Sequence, residues 1–269
     1  MSVVPALNRH PLLVFFGLAY VLSWWPALFT NGGLFPFGPL LAAVMITFVA
    51  GGKTGLRSWW NTVTRWRGGA IWYTAAIGLP VTMNLTAACL AVLLGAPSPP
   101  AEQIAQWPHV FLVFALYFVA LGPLGEEPGW RGLAMPKLQH RYNSPAIASL
   151  ALGVGVAVWH LPLVVGGQVP AITLVAIIAA QIIYTWLANQ VDGRVLIVMI
   201  AHAAQGGLAG EYFGPMFTGA AATLETRLLV AIHCGVAGAI VVWTGHGLSH
   251  RRRPSRSSGH LGLAARAGE

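Results

Sequence analysis

"GEEPGWRG", residues 125–132, follows directly on the apolar run "VFLVFALYFVALGPL". The chain has 269 residues and only seven are acidic, yet two stand side by side here as Glu126 and Glu127, with Arg131 close behind. If the preceding run ended at Pro123, both carboxylates would sit in water at an ordinary helix start. But "WRGLAMPKLQHR" continues mostly apolar up to Lys137. A helix from 108 to about 138 is too long for one straight crossing, so a kink at Pro128 or a tilt is expected. Glu126 then lies inside an apolar layer.

Composition says what that layer is. The chain is 56% hydrophobic and 8% charged, with a mean hydropathy of +0.68. A soluble domain carries about 25% charge. So few charges cannot cover a water-facing surface, and the surrounding medium is mostly lipid. Apolar runs near 11–29, 34–51, 70–94, 108 into the glutamate segment, 145–165, 171–187, 195–208 and 228–243 are candidate crossings. They are continuous, without the two-residue alternation of barrel strands, so they read as helices. The expected fold is all-α: a polytopic integral membrane protein with about eight transmembrane helices enclosing a polar cavity. One transmembrane domain spans 1–248, its motifs lie in 122–207, and 249–269 reads as a basic, disordered cytoplasmic tail. No internal repeat and no soluble second domain stand out. The first run is too long for a signal-peptide core and lacks a small-residue cleavage site, so it reads as a retained helix. Cys89 and Cys234 sit in apolar runs and read as small packing residues.

Basic residues set the orientation. Arg9 precedes the first run; Lys53, Arg57, Arg65 and Arg67 lie between the second and third; Lys137 and Arg141 between the fourth and fifth; Arg194 between the sixth and seventh; "RRRPSR" follows the last. The alternate connections hold Glu102, Glu211 and Glu225, with Arg227 the exception. The positive-inside rule then places both termini in the cytoplasm of a cell membrane. The net charge of +8 is a topology signal and calls for a bilayer, not for nucleic acid. Leu56, Trp59, Trp60 and Val63 share one face of a helix, suited to lying at the membrane interface.

Counting 1.5 Å per residue, Glu126 lies about 22 Å from Arg141, His160 about 24 Å from Ser144 and His202 about 12 Å from Arg194. All three fit within a core about 30 Å thick, where ionisable groups face a cavity or a partner. Arg131 is four residues after Glu127, a helical ion-pair spacing, whereas the residue four after Glu126 is Trp130. This suggests a division: Glu127 and Arg131 support the helix, and Glu126 is left to act as a general base. The alternative at this point is a buried ion-pair network with no chemistry.

These residues resemble the CAAX protease and bacteriocin-processing (CPBP, Abi) family of intramembrane glutamate proteases. "EEPGWR" matches its EExxxR motif. "VAVWH" supplies the His160 of FxxxH, with Val156 in place of phenylalanine. "HAAQG" supplies the His202 of HxxxN, with Gly206 in place of asparagine. The likeness covers roughly 122–207. It implies an intramembrane endopeptidase in which Glu126 activates water, His160 assists and His202 stabilises the oxyanion, normally with the asparagine. Gln205 and Asn189 are candidate substitutes for that missing amide.

The resemblance favours a metal-free mechanism with no cofactor. Zinc held by Glu126, His160 and His202 is the competing reading. The implied partner is a peptide or membrane-protein substrate. Gly206 keeps a second function open, a catalytically impaired relative acting as a membrane binding, immunity or scaffold protein. A transporter ranks below both, for want of repeats. His233 reads as a bond to a neighbouring helix. Trp130 and Trp159 read as walls of the site, and Asp192 with Arg194 as a loop.

Overall fold

The computed structural model describes residues 9–249; the rest of the basic tail read at 249–269 lies outside the described residues. Ten helices carry the fold: α1 (Pro11–Trp24), α2 (Gly38–Val63), α3 (Ala70–Leu93), α4 (Val110–Leu116), α5 (Pro123–Gly129), α6 (Met135–Tyr142), α7 (Pro145–Trp159), α8 (Thr173–Gln190), α9 (Val195–Gly206) and α10 (Gly219–Thr244). Shorter helical turns join them, and no strand occurs among the described residues. Among the described residues six helical stretches are long and apolar enough to cross a membrane: Pro11–Leu28, Gly38–Val63, Ala70–Leu93, Ala101–Leu121, Thr173–Gln190 and Gly219–Gly247. The other two of the eight expected crossings are helical but shorter, α7 with 15 residues and α9 with 12. This is a helical, multi-pass membrane protein. Its exterior is apolar, with Leu13, Val21, Ile71, Phe111 and Val242 all more than two-thirds exposed. That is how a lipid-facing surface differs from a water-facing one.

The helix through the glutamates bends where the sequence did not indicate. Pro128 stays inside α5, and the break falls at Gly122 (φ 179°, ψ −76°), with Pro123 opening the new helix. Wide π-helical turns, Tyr117–Leu121 and Trp130–Ala134, flank α5 on both sides. Proline lacks the N–H that would bond the turn before it, and the widened turn directly after Pro128 absorbs the irregularity without a sharp kink. The second run is interrupted too. Gly52 (φ 58°) turns the chain inside α2, separating a membrane-crossing part from an amphipathic part. On the latter, Trp59 and Val63 are buried and Trp60 is exposed, in keeping with an interfacial helix packed on the bundle.

The glycines of "GEEPGWRG" form a seam against α2. A Cβ on Gly125 would lie 2.6 Å from the Pro36 carbonyl oxygen, and one on Gly129 would lie 2.6 Å from the Pro39 carbonyl carbon. On Gly132 it would meet Val63 at 2.9 Å and Trp59 Nε1 at 3.0 Å. The spacing i, i+4, i+7 puts the three on one helical face, and small residues there let two backbones touch. With that face committed to α2, the carboxylates turn toward α9.

The largest core cluster joins α1, α2, the Trp130–Ala134 turn, α6, α7 and the start of α9. Phe15 and Phe16 of α1 pack on Trp130 at centroid distances of 5.4 and 5.8 Å, and Trp130 meets Trp159 at 5.9 Å. Tyr20 donates to the Gly155 carbonyl at 2.8 Å and Trp24 to the Trp159 carbonyl at 2.9 Å. These bonds fix the end of α7, and with it His160, relative to the glutamate helix. Cys89 and Cys234 depart from expectation: both are exposed on their helices, on the apolar exterior, and are not packed inside.

Candidate active site

Glu126, Glu127 and Arg131 are all buried, at 4%, 1% and 4% exposure. Arg131 Nε lies 3.6 Å from Glu127 Oε2, the expected pair four residues apart. The guanidinium also donates to Gln181 Oε1 of α8 at 2.5 Å and sits 5.8 Å from the centre of the Tyr184 ring. Buried charges need such multiple partners, because removal from water is costly.

The other Glu127 oxygen has a partner the sequence did not suggest. His202 Nδ1 donates to Glu127 Oε1 at 2.9 Å, while the imidazole stacks on Tyr184 with centroids 5.8 Å apart. Glu127 therefore does two things: it pairs with Arg131 and orients His202. The count along the sequence puts His202 shallower than Glu126 and His160, by a gap that tilt can absorb. It takes Arg194 as the membrane edge, but the Arg194 side chain is only 23% exposed and its guanidinium turns back onto the Val191 carbonyl. The start of α9 is thus buried in the bundle, with Val195 fully covered, and His202 meets Glu127.

Glu126 Oε2 accepts from Trp130 Nε1 at 3.4 Å, leaving Oε1 without a hydrogen bond among the described residues. That oxygen and His202 Nε2 converge beside Gly122. A Cβ placed on Gly122 would be 2.9 Å from the first and 3.6 Å from the second. The absent side chain is what leaves room between a carboxylate and an imidazole.

His160 follows the last turn of α7, with its backbone at φ −81°, ψ −3°. Its Nδ1 donates to the Val156 carbonyl at 2.8 Å, and its ring stands edge-on to Trp159 at 4.9 Å. In its neutral form the Nδ1 bond leaves Nε2 carrying the lone pair.

Neither substitute for the missing amide stands at this cluster. Asn189 accepts from Gln139 at 3.4 Å and donates to the Gly247 carbonyl at 3.4 Å, at the far end of α8. Gln205 accepts from Asn84 of α3 at 3.3 Å and faces a cavity of about 10 Å³ shared with His233. His233 itself bonds the Leu229 carbonyl of its own helix at 2.8 Å rather than a neighbouring helix. The space beside Gly206 belongs instead to Tyr117, whose ring edge and hydroxyl fill the position of a Cβ. Among the described residues no group of three His, Cys, Asp or Glu is arranged to hold a metal ion. Asp192 and Arg194 pair at 3.2 Å in the turn before α9.

The arrangement brings together a carboxylate with a free oxygen and an imidazole fixed by a second carboxylate in the partly buried interior, with His160 at the end of α7. Comparison with known proteins bears on it directly. Residues 108–207 match the family model described as type II CAAX prenyl endopeptidase Rce1-like. The match contains the glutamate pair, both histidines and Gly206. It agrees with the resemblance drawn from "EEPGWR". No curated protein matches the chain.

Proposed function

From the Rce1-like match over residues 108–207, whose family is one of membrane proteases, we propose that this chain is an intramembrane endopeptidase using a glutamate-activated water and no metal. The observation that carries this reading is the convergence of Glu126 Oε1 and His202 Nε2 beside Gly122, with Glu127 gripping the far side of the imidazole.

The Glu126 carboxylate takes a proton from water while the water oxygen bonds to the carbonyl carbon of the scissile peptide. The carbonyl π electrons move onto oxygen, forming a tetrahedral oxyanion. His202 donates to that oxyanion through Nε2, which requires both ring nitrogens to be protonated, with Glu127 balancing the charge. Collapse breaks the C–N bond, and the proton held by Glu126 passes to the leaving amine, with His160 as relay. One water is consumed and two peptides leave. The substrate is a peptide or membrane protein presented at a cell membrane, with both termini of the enzyme in the cytoplasm.

The test uses an internally quenched, prenylated CAAX peptide with the purified full chain in proteoliposomes. Glu126→Ala lowers kcat by at least about 10²-fold, the usual size of general-base catalysis. A chelator leaves the wild-type rate unchanged. Equal turnover by wild type and Glu126→Ala rules out the glutamate mechanism, and chelator inactivation reversed by zinc replaces it with a metal one. A chain inert toward prenylated and unprenylated peptides alike favours the binding, immunity or scaffold reading that Gly206 first suggested.

A further inference from the structure

An oxyanion in a buried site needs donors held in advance, and one imidazole Nε2 is a sparse provision. Position 206, one turn beyond His202, carries no side chain to add a second. Tyr117 fills that space. Its Cε1, Cζ and hydroxyl oxygen occupy the place where a Gly206 Cβ would be, so the ring could not sit there against any other residue.

The same ring borders the catalytic gap. Tyr117 Cε1 lies 3.6 Å from the point beside Gly122 on which Glu126 Oε1 and His202 Nε2 converge. The Tyr117 and His202 centroids are 6.4 Å apart, inclined at 59°. Its position is set by the π-helical turn that Tyr117 opens, just before the break at Gly122. The hydroxyl makes no hydrogen bond among the described residues, so its proton is available to a ligand. A phenol is neutral near pH 7 and donates through O–H without first acquiring a charge.

We propose that the Tyr117 hydroxyl is the second oxyanion donor of this site, working beside His202 in the space that Gly206 leaves open. The proposal rests on the endopeptidase reading above. Tyr117 and Gly206 form one unit: the glycine admits the ring, and the ring supplies the polar group the glycine lacks. The O–H donates a hydrogen bond to the oxyanion and retains its proton, so the bond changes of the reaction are unaltered.

The test is Tyr117→Phe, which removes one oxygen and keeps the ring. On the prenylated CAAX peptide in proteoliposomes, kcat falls by about 10²–10³-fold, as expected for loss of one oxyanion donor. KM stays near the wild-type value, and so does the thermal midpoint, since no folded-state hydrogen bond is lost. Gly206→Asn alone forces the ring out. Tyr117→Ala with Gly206→Asn makes room for the amide and recovers at least about tenfold in kcat over Tyr117→Ala, a fraction of one donor's effect. Wild-type kcat in Tyr117→Phe, alongside an inactive Glu126→Ala, overturns this inference and leaves the protease reading intact. A wild-type chain and a double variant that both turn over no peptide, or a wild type that does so without Glu126, overturn both. An inert wild type awakened by Tyr117→Ala with Gly206→Asn makes Tyr117 a plug, which also overturns the inference.

Discussion

Glu127 is 1% exposed and faces an arginine through one oxygen and a histidine through the other. Converting it to glutamine leaves the size unchanged but strands the Arg131 charge, of which Nη1 already has no hydrogen-bond partner. Breaking a buried pair by neutralising one member costs about 3–5 kcal/mol. Glu127→Gln is therefore expected to unfold at clearly lower temperature than wild type and to lose turnover. Adding Arg131→Met removes the stranded charge. The double variant regains most of the thermal midpoint, read by unfolding in detergent, but not the activity, because His202 still lacks its carboxylate. Recovery of both together would mean that Glu127 has no role in orienting His202. Half of this arrangement was legible in the sequence. Glutamate and arginine four apart on a helix announce a pair. The bond to His202 joins residues 75 apart and depends on how α9 is buried in the bundle, which no local pattern records. For the same reason Gln205 and Asn189 looked available as donors until their partners in α3 and after α10 were seen.

At the level of the helix, the octet that decided the fold carries two messages on two faces, and only one was read from the sequence. Charge drew attention to Glu126, Glu127 and Arg131. The glycines at 125, 129 and 132 carry the other, since their i, i+4, i+7 spacing is itself the signal of a close helix contact. Gly129→Ala tests the seam. The added methyl would overlap the Pro39 carbonyl oxygen and lie 2.8 Å from Pro39 Cβ, and neither backbone can yield without moving α2. Overpacking of this kind costs about 1–3 kcal/mol. The variant should lower the thermal midpoint and reduce turnover, since the shift rotates the carboxylates away from His202. Gly235→Ala in α10 is the control, with nothing within 4 Å of the new methyl. It is expected to leave both readouts unchanged or raise stability slightly, through helix propensity alone. Equal effects from the two would mean that α5 does not bear on α2 as described. The misplaced kink has a similar origin. Proline is the familiar helix breaker, but a π-helical turn can accommodate it, whereas a glycine followed by proline at 122–123 offers the chain a cheaper place to break.

Across the whole molecule the connections sort to two ends, and they sort by charge. Arg9 and His10 share one groove with Lys137, His140 and Arg141. Gln139 and Gly247 both bond Asn189, so the ends of α6, α8 and α10 meet there, and Gly68, just after Arg65 and Arg67, lies against Val191 and Ile197. At the opposite end Gln103, beside Glu102, donates to the Tyr212 carbonyl, next to Glu211, at 2.9 Å, and Gln168 bonds the Asn31 carbonyl at 2.7 Å. Glu225, read from the sequence as part of an acidic connection, is instead buried inside α10, with Arg227 in the same helix; the remaining basic and acidic connections stand apart in space. Such a separation is what the positive-inside rule acts on. It yields a sided experiment. In a Cys89→Ala, Cys234→Ala background, Lys137→Cys and Glu102→Cys each place one thiol at an exposed position on opposite ends. A membrane-impermeant maleimide added to intact cells should label Glu102→Cys and spare Lys137→Cys, and inverted vesicles should reverse the pattern. Labelling of both from one side would break the two-ended arrangement. The opposite polarity would keep the arrangement but turn the basic end outward, and the site would then have to take its substrate from the other face.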